Sequence, residues 1–420
     1  MVVRNYKSPV VIMWSLKKPP MKRAKPKTWL KEGPSTYHLK YVERLKQLHK
    51  TLHWLLLISV LANTAPITIL PGCPNRFYRL IHLLWMTIWY GNFALASYWE
   101  FVLITLQRVS LNRYLNAIES AVYVIHIFVI MLLTWQWRNW VPKVIKDIVR
   151  SDLERGYIVD GQRTKRFIRL QLLLVWIFTC LAFAFDIWSQ KCVIYRSILS
   201  LNSYVMPNII SSLSFVQYYL LLQGIAWRQR KVTENLDREL NHLINPRKAE
   251  IQRYRLHHAD LTNFTRLVNR TFQYSIVLLF VGCFLNFNLV LFLVYQGIEN
   301  PSMGDLAKWL YMIVWLAMHL GKVCSILYFN QNIQNEQSKC LTLLSGVSCT
   351  GNDLQETINH FILQMRTNIR QHVVGGVMVL DLKFLTALLV ASADFFIFLL
   401  QYDVTYEALS KSVQGNITKT

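Results

Sequence analysis

The sequence predicts an all-α, polytopic membrane protein: seven transmembrane helices, an interfacial helix ahead of them and a helical module in water. The amino end is expected in the cytoplasm and the carboxyl end outside. Three observations predict this. Eight strongly apolar stretches, near residues 53–72, 80–106, 115–137, 167–188, 203–227, 271–297, 308–330 and 378–402, punctuate the 420 residues, and a helix needs about 20 apolar residues to cross a bilayer core. Hydrophobic residues make up 53% and charged ones only 16%, yet the formal charge is +23, so the positive charge sits on water-facing segments. That charge crowds into the first fifty residues, 138–166 and 228–270, which the positive-inside tendency assigns to the cytoplasm.

The amino-terminal fifty residues are basic, but no apolar run in them precedes a small-residue cleavage site, so no signal peptide is expected and the first span directs insertion. Two cytoplasmic segments require an even number of crossings between them, yet three apolar stretches lie there. The stretch 53–72 is the one that does not cross: Asn63, Pro66 and Pro71 interrupt it and Gly72, Pro74 and Arg76 follow. Its broken backbone suits the inner interface. Seven spans remain, and an odd count leaves the carboxyl tail outside, where the sequon Asn416-Ile417-Thr418 is open to glycosylation. The sequons at Asn263 and Asn269 fall on the cytoplasmic side and are expected to be empty.

Segment 228–270 is charged but helically spaced, with Leu236, Leu240 and Leu243 as an apolar stripe and a break at Asn245-Pro246. The loop 331–377 offers Ile358, Phe361, Ile362 and Met365 in a similar pattern. Together they predict a cytoplasmic helical module. The domain reading is therefore 1–79 amino-terminal region, 80–330 six-helix ligand-binding bundle, 331–377 cytoplasmic loop, 378–402 pore helix and 403–420 extracellular tail.

No phosphate loop, nucleophile elbow, zinc-protease motif or Cys-x-x-Cys occurs, so neither an enzyme nor a cofactor is expected. The cysteines at 73, 180, 192, 283, 324, 340 and 349 show no framework and read as small hydrophobes. His257 and His258 are adjacent, which is wrong for sharing a metal on one helix face, and read as surface histidines. Basic residues that flank apolar helices argue against nucleic acid as a partner.

Polar groups within the spans are more telling, because ionisable side chains in lipid face a cavity, a partner or a pore. These are Glu100, Glu119, His126, Asp186, His319, Lys322 and Asp394. Glu100 and Asp186 stand close enough to span ends to reach the interface instead. Aromatic and polar residues also collect in the outer halves, and Trp99, Glu119, Tyr123, Ser212, Asn286, Asn288, Trp309 and Trp315 form the candidate small-molecule site.

The last span reads Asp394-Phe395, five hydrophobic residues, then Gln401-Tyr402. It resembles the Thr-Tyr, five hydrophobics, Gln-Phe signature in the final span of insect gustatory receptors, with Asp394, Phe395 and Tyr402 as departures. The resemblance covers nearly the whole chain through the span count, orientation and long charged fourth connection. It implies a ligand-gated cation channel in the plasma membrane of chemosensory neurons, a homo- or hetero-tetramer with other gustatory receptor subunits, gated by a small-molecule tastant. It also implies Gln401 at the narrow outer pore and Phe398 at the gate. Helical geometry puts Asp394, Phe398 and Gln401 on one face, so Asp394 either joins the pore or pairs with Lys322 or His319. Aromatic walls with few clustered carboxylates suit flat, weakly polar ligands, which points to bitter compounds such as planar alkaloids. A seven-helix G-protein-coupled receptor and a secondary transporter are the alternatives. The former puts the amino end outside, and the latter shows repeated halves that are absent here.

Overall fold

The computed structural model describes residues 34–69, 76–105, 111–136, 141–189, 193–241, 247–299, 306–347, 352–367, 373–374 and 378–417. Eleven α-helices follow in order: α1 (Pro34–Leu61), α2 (Arg76–Thr105), α3 (Leu111–Gln136), α4 (Val141–Glu154), α5 (Gly161–Ser189), α6 (Ile194–Ser200), α7 (Met206–Asn241), α8 (Lys248–Glu299), α9 (Leu306–Ser345), α10 (Asn352–Thr367) and α11 (Lys383–Ile417). A π turn, Leu201–Val205, runs α6 into α7 without a break. A minimal hairpin of β1 (Val373–Val374) and β2 (Met378–Val379) pairs Val373 with Val379.

Six helical runs are long and apolar enough to cross a membrane: α3, α5, α6–α7, α8, α9 and α11. The expected seventh, α2, has 30 residues, about 45 Å of helix, and packs along α3. Trp85, Trp89, Tyr90, Tyr98 and Trp99, with His82, Asn92 and Glu100, make it aromatic and partly polar along its length.

The interfacial segment differs from its expected bounds. Its helix begins at Pro34, where proline suits a first turn, and ends at Leu61. Asn63 then takes a left-handed φ of 58°, the backbone that asparagine tolerates at a helix end, and the Thr64 and Ala65 amides turn back to the Ser59 carbonyl. Helix α4 ends similarly at Gly156, φ 66°. At the start of α5, Asp160 Oδ1 accepts the amides of Gln162 and Arg163, each at 3.0 Å, an N-cap of ordinary form.

At the centre α7 packs against α8 and α9, with Phe215, Tyr218, Leu222, Ile276, Val323 and Ile326 fully or almost fully buried. A hydrogen-bond triangle pins the three helices. The Tyr218 hydroxyl donates to Asn269 Oδ1 at 2.7 Å, Asn269 Nδ2 donates to Asn330 Oδ1 at 3.0 Å, and Asn330 Nδ2 donates to the Tyr218 oxygen at 2.7 Å. Asn269 is thereby sealed inside the bundle, whereas Asn263 is exposed.

Helix α9 continues 15 residues beyond the expected end of its span at Asn330, because Ile333, Cys340 and Leu344 keep one face apolar. Leu236, Leu240, Ile251, Cys340, Leu344, Ile358, Phe361 and Met365 close a second core there. The two predicted stripes thus meet, except that Leu243 and Asn245-Pro246 lie outside the described residues. His258 is not a surface histidine: it is 1% exposed, with its ring 5.5 Å from that of Phe361. Cys180 is exposed, unlike Cys283 and Cys340; positions 73, 192 and 349 fall outside the described residues. Helix α11 carries on through the predicted tail to Ile417, so Asn416 stands in its last turn.

Candidate functional site

One face of α3 presents Glu119, Tyr123 and His126, three and four residues apart and therefore stacked on one side. All three are buried. The Tyr123 hydroxyl lies 3.1 Å from Glu119 Oε1 and 2.7 Å from His319 Nε2. If it donates to the carboxylate, the imidazole must donate from Nε2, and Nδ1 of His319 is then buried with no hydrogen-bond partner among the described residues. Asn286 of α8 donates from Nδ2 to the same Glu119 oxygen at 2.9 Å, and its Oδ1 is likewise unpartnered.

Aromatic rings enclose this polar knot. On α9, Tyr311, Trp315 and His319 recur every fourth residue, which puts them along one stripe. Tyr311 stacks on Trp315 at 5.8 Å, and Trp315 meets His319 at 5.3 Å, Tyr123 at 6.4 Å and Tyr204 at 6.3 Å. Edge-to-face geometry dominates, as ring quadrupoles favour. Tyr204 comes from the π turn, whose neighbours bind α2: Asn92 Nδ2 donates to Asn202 Oδ1 at 3.0 Å, and the Ser203 hydroxyl donates to Glu100. A π turn holds an extra residue per turn, and here it aims three successive side chains at two different helices.

Electrostatically the site is acidic at one end. Glu119 bonds to Tyr123, Glu100 accepts from Ser203 beside Tyr204, and Asp186 is buried on α5. Helices α2, α3 and α5 thus deliver one acid each, where the sequence alone led to an expectation of few clustered carboxylates. Further along α9, Lys322 is held by Asn208 of α7, whose Oδ1 accepts from Nζ, while Asn208 Nδ2 donates to Met318 Sδ at 2.7 Å.

Of the eight residues expected at a ligand site, Glu119, Tyr123, Asn286 and Trp315 converge. The other four do not. Trp99 is 49% exposed on the outer side of α2. The Ser212 hydroxyl donates to its own helix at Asn208 O, 2.6 Å, and Asn288 Nδ2 to Phe284 O, 2.8 Å, so both serve backbone acceptors. Trp309 lies over Gly297, where a Cβ would sit 2.7 Å from the indole; it is a contact between α8 and α9. Tyr204 and Ser203 were missed, while His319 and Glu100, singled out as polar groups within spans, were not assigned to the ligand site. The fourfold spacing of Tyr311, Trp315 and His319 is the signal that could have assigned His319.

Asp394, Phe398 and Gln401 are all exposed on α11. The helix leans chiefly on α8, with Ser392 and Leu399 buried; at about 100° per residue these lie roughly 150° around the axis from Asp394. The three candidate pore residues thus occupy the side opposite the packed one. Neither Lys322 nor His319 pairs with Asp394 among the described residues, which removes the alternative of a buried ion pair. Among the described residues no group of three or more histidines, cysteines or carboxylates is placed to hold a metal ion.

Residues 55–406 match the family described as 7tm chemosensory receptor. A Drosophila melanogaster protein named as gustatory receptor 59f is 74% identical over 398 residues, covering 95% of this chain and 98% of that one. A second Drosophila protein, named as gustatory receptor 59e, is 30% identical over 120 residues, 28% of this chain and 30% of its own. The structure of the insect olfactory receptor OR5 from Machilis hrabei superposes with a TM-score of 0.63 at 12% identity, over 86% of this chain and all of that one; its complex with eugenol gives 0.60 at 10% identity.

Proposed function

Because the chain belongs to the insect gustatory receptors of the 7tm chemosensory receptor family, we propose that it is a taste receptor working as a ligand-gated, non-selective cation channel for aversive compounds. The amino end faces the cytoplasm, and the working unit is a homo- or hetero-tetramer of gustatory receptor subunits in the plasma membrane of a chemosensory neuron. The observation that carries the reading is the face of α11 that bears Asp394, Phe398 and Gln401. It is exposed in the single chain and opposite the packed side, so four copies would surround a path with acid, aromatic and amide rings. Rings of carboxylate favour cations and an apolar constriction closes by dewetting.

Ligand enters the aromatic site. Glu100, Glu119 and Asp186 beside the rings of Tyr123, Tyr204, Tyr311 and Trp315 favour a flat molecule carrying a protonated amine, through charge and cation–π attraction together. Bitter alkaloids of planar, basic type fit that description better than neutral sugars. The relative of known structure that was solved with eugenol supports small aromatic ligands in general.

The test is whole-cell current from cells expressing the chain, alone and with partner gustatory subunits, against aromatic amines and their uncharged isosteres. Expected are inward cation currents for the amines, with Glu119→Gln shifting the amine response and sparing any neutral agonist. Robust surface expression without current in every combination would defeat the channel reading. Currents evoked equally by charged and neutral members would defeat the amine reading alone.

A further inference from the structure

A cavity lies at the other end of the bundle, away from the aromatic site. It has a volume of about 250 Å3 and is walled by Leu52 and Leu55 of α1, Ile145 of α4, Leu221 of α7, and Phe264 and Leu267 of α8. Apolar cavities of about 150 Å3 already hold a benzene-sized guest and exclude water. This one extends along α7 from Ser214 to Arg228, about 21 Å of helix. An apolar lining that runs that far along a helix suits a hydrocarbon chain.

Its polar end is built from charge. Arg228 grips Asp152 through two bonds of 2.8 and 2.6 Å and lies 4.9 Å over the Tyr157 ring, so both members of that pair are satisfied. Nearby, Arg150 pairs with Glu154 and Arg155 with Asp260. The start of α5 is different. Arg163, Lys165, Arg166 and Arg169 have no carboxylate partner among the described residues, and the Asp160 carboxylate is occupied in capping the helix. Arg163 sits 4.8 Å over the ring of Trp227, and that ring lines the cavity. A guanidinium with unused donors therefore stands where the apolar channel ends.

We propose that this cavity is a lipid site: one acyl chain of an anionic phospholipid from the adjoining leaflet lies between α1 and α4 on one side and α7 and α8 on the other. Its phosphate is held by Arg163, the planar fork of which matches phosphate oxygens, with Lys165 and Arg166 adding attraction. The inference is independent of what the aromatic site binds. It makes the lipid a wedge that joins the interfacial helices to the central bundle.

The test labels the purified full chain with phosphatidylserine or phosphatidylcholine carrying a diazirine on one acyl chain, then maps the adducts by mass spectrometry. Expected are adducts on the α1, α7 and α8 peptides that line the cavity, stronger for phosphatidylserine. Basic residues near a membrane surface contribute roughly fivefold each, so Arg163→Gln should cut the serine-lipid preference by about that factor. This exposed substitution should leave folding intact. Leu221→Trp, which fills the channel, should abolish cavity adducts for both lipids, with elution as a monodisperse species as the folding control. Adducts confined to outward residues such as Leu170 and Leu173, or equal labelling by both lipids, would overturn the proposal. So would cavity labelling by a diazirine fatty alcohol when neither phospholipid labels it, which would indicate a diffusible apolar ligand.

Discussion

The α6–α7 run and α11 are both long enough to span a bilayer, yet 67% of the most apolar window of the first is buried in the protein and only 11% of that of the second. Their hydropathy runs the other way: the helix at the centre is the less hydrophobic one. In lipid, apolar side chains gain little by leaving hydrocarbon for protein, so helices associate through close packing and hydrogen bonds. Helix α7 supplies Asn208, Ser211, Ser212, Ser214 and Tyr218 for that purpose, all buried. Helix α11 supplies Phe, Leu and Ile, and it has one packed side and one open side. The difference teaches that in this chain polarity marks the helices held by their own subunit, and apolar surface marks a helix awaiting something else.

The most severe way to break that comparison is Asn208→Leu. Lys322 Nζ would lose the Oδ1 acceptor in a buried place and keep only the longer contact to the Asn208 carbonyl, and a hydrogen bond to a charged group contributes about 1.5–3 kcal/mol. Surface biotinylation should show abundance falling steeply, with Lys322→Met in the same chain recovering much of it. Normal abundance for Asn208→Leu alone would mean that polar contacts are not what centres α7.

A smaller effect separates site from scaffold. Trp315→Ala should raise the half-effective ligand concentration about ten- to a hundredfold, equivalent to roughly 1–3 kcal/mol for a desolvated aromatic contact. Asn288→Ala removes an amide that serves its own helix and should leave the dose response in place. The reverse ranking in current recordings would shift the site along α8.

Comparable in size but different in kind is Tyr218→Phe, which opens the triangle with Asn269 and Asn330. Two hydrogen bonds are lost, each contributing about 0.5–1.5 kcal/mol, so the purified protein should melt earlier without a change in ligand sensitivity. An unchanged melting temperature would show that the triangle is incidental to the packing.

The gentlest change sharpens the other half of the comparison. Phe398→Ala and Asp394→Asn alter exposed positions, where substitutions stay within about 0.5 kcal/mol, so surface abundance and melting should be normal. Resting current should rise for the first and cation selectivity weaken for the second. Loss of expression in either would reveal that the open side of α11 is already structural within one subunit.

Six of the spans were legible because each is a long apolar run, and composition alone makes that visible. The extension of α9 was not, since beyond Asn330 its apolar residues come one per turn among Gln, Asn and Glu, and only their meeting with Ile358 and Phe361 explains the helix. The start of α1 at Pro34 was hidden by the same mixture of charge and sparse leucine. At the site, sequence could nominate polar residues within spans but not the rotation of each helix. Glu119 and Asn286 therefore emerged correctly placed together, while Trp99 pointed away and Asn288 turned back on its own backbone. Glu100 and Asp186 read as residues reaching for water, and only the fold brings them beside Tyr204.

Helix α8 carries Asn286 on one flank and, three and six residues later, Leu289 and Phe292 on the flank that seats Leu399 of α11. The same shaft is therefore both a wall of the aromatic site and the bearing on which the outermost helix rests. In the channel proposed above, a ligand that tugs the Asn286 amide would need no relay of loops to be felt at α11, because a rotation of α8 by a few degrees turns both surfaces at once. The two surfaces are roughly 5–9 Å apart along one helix axis. Speed and reversibility then follow from the stiffness of a single element, and a stimulus can be read out without any part of the bundle having to unfold.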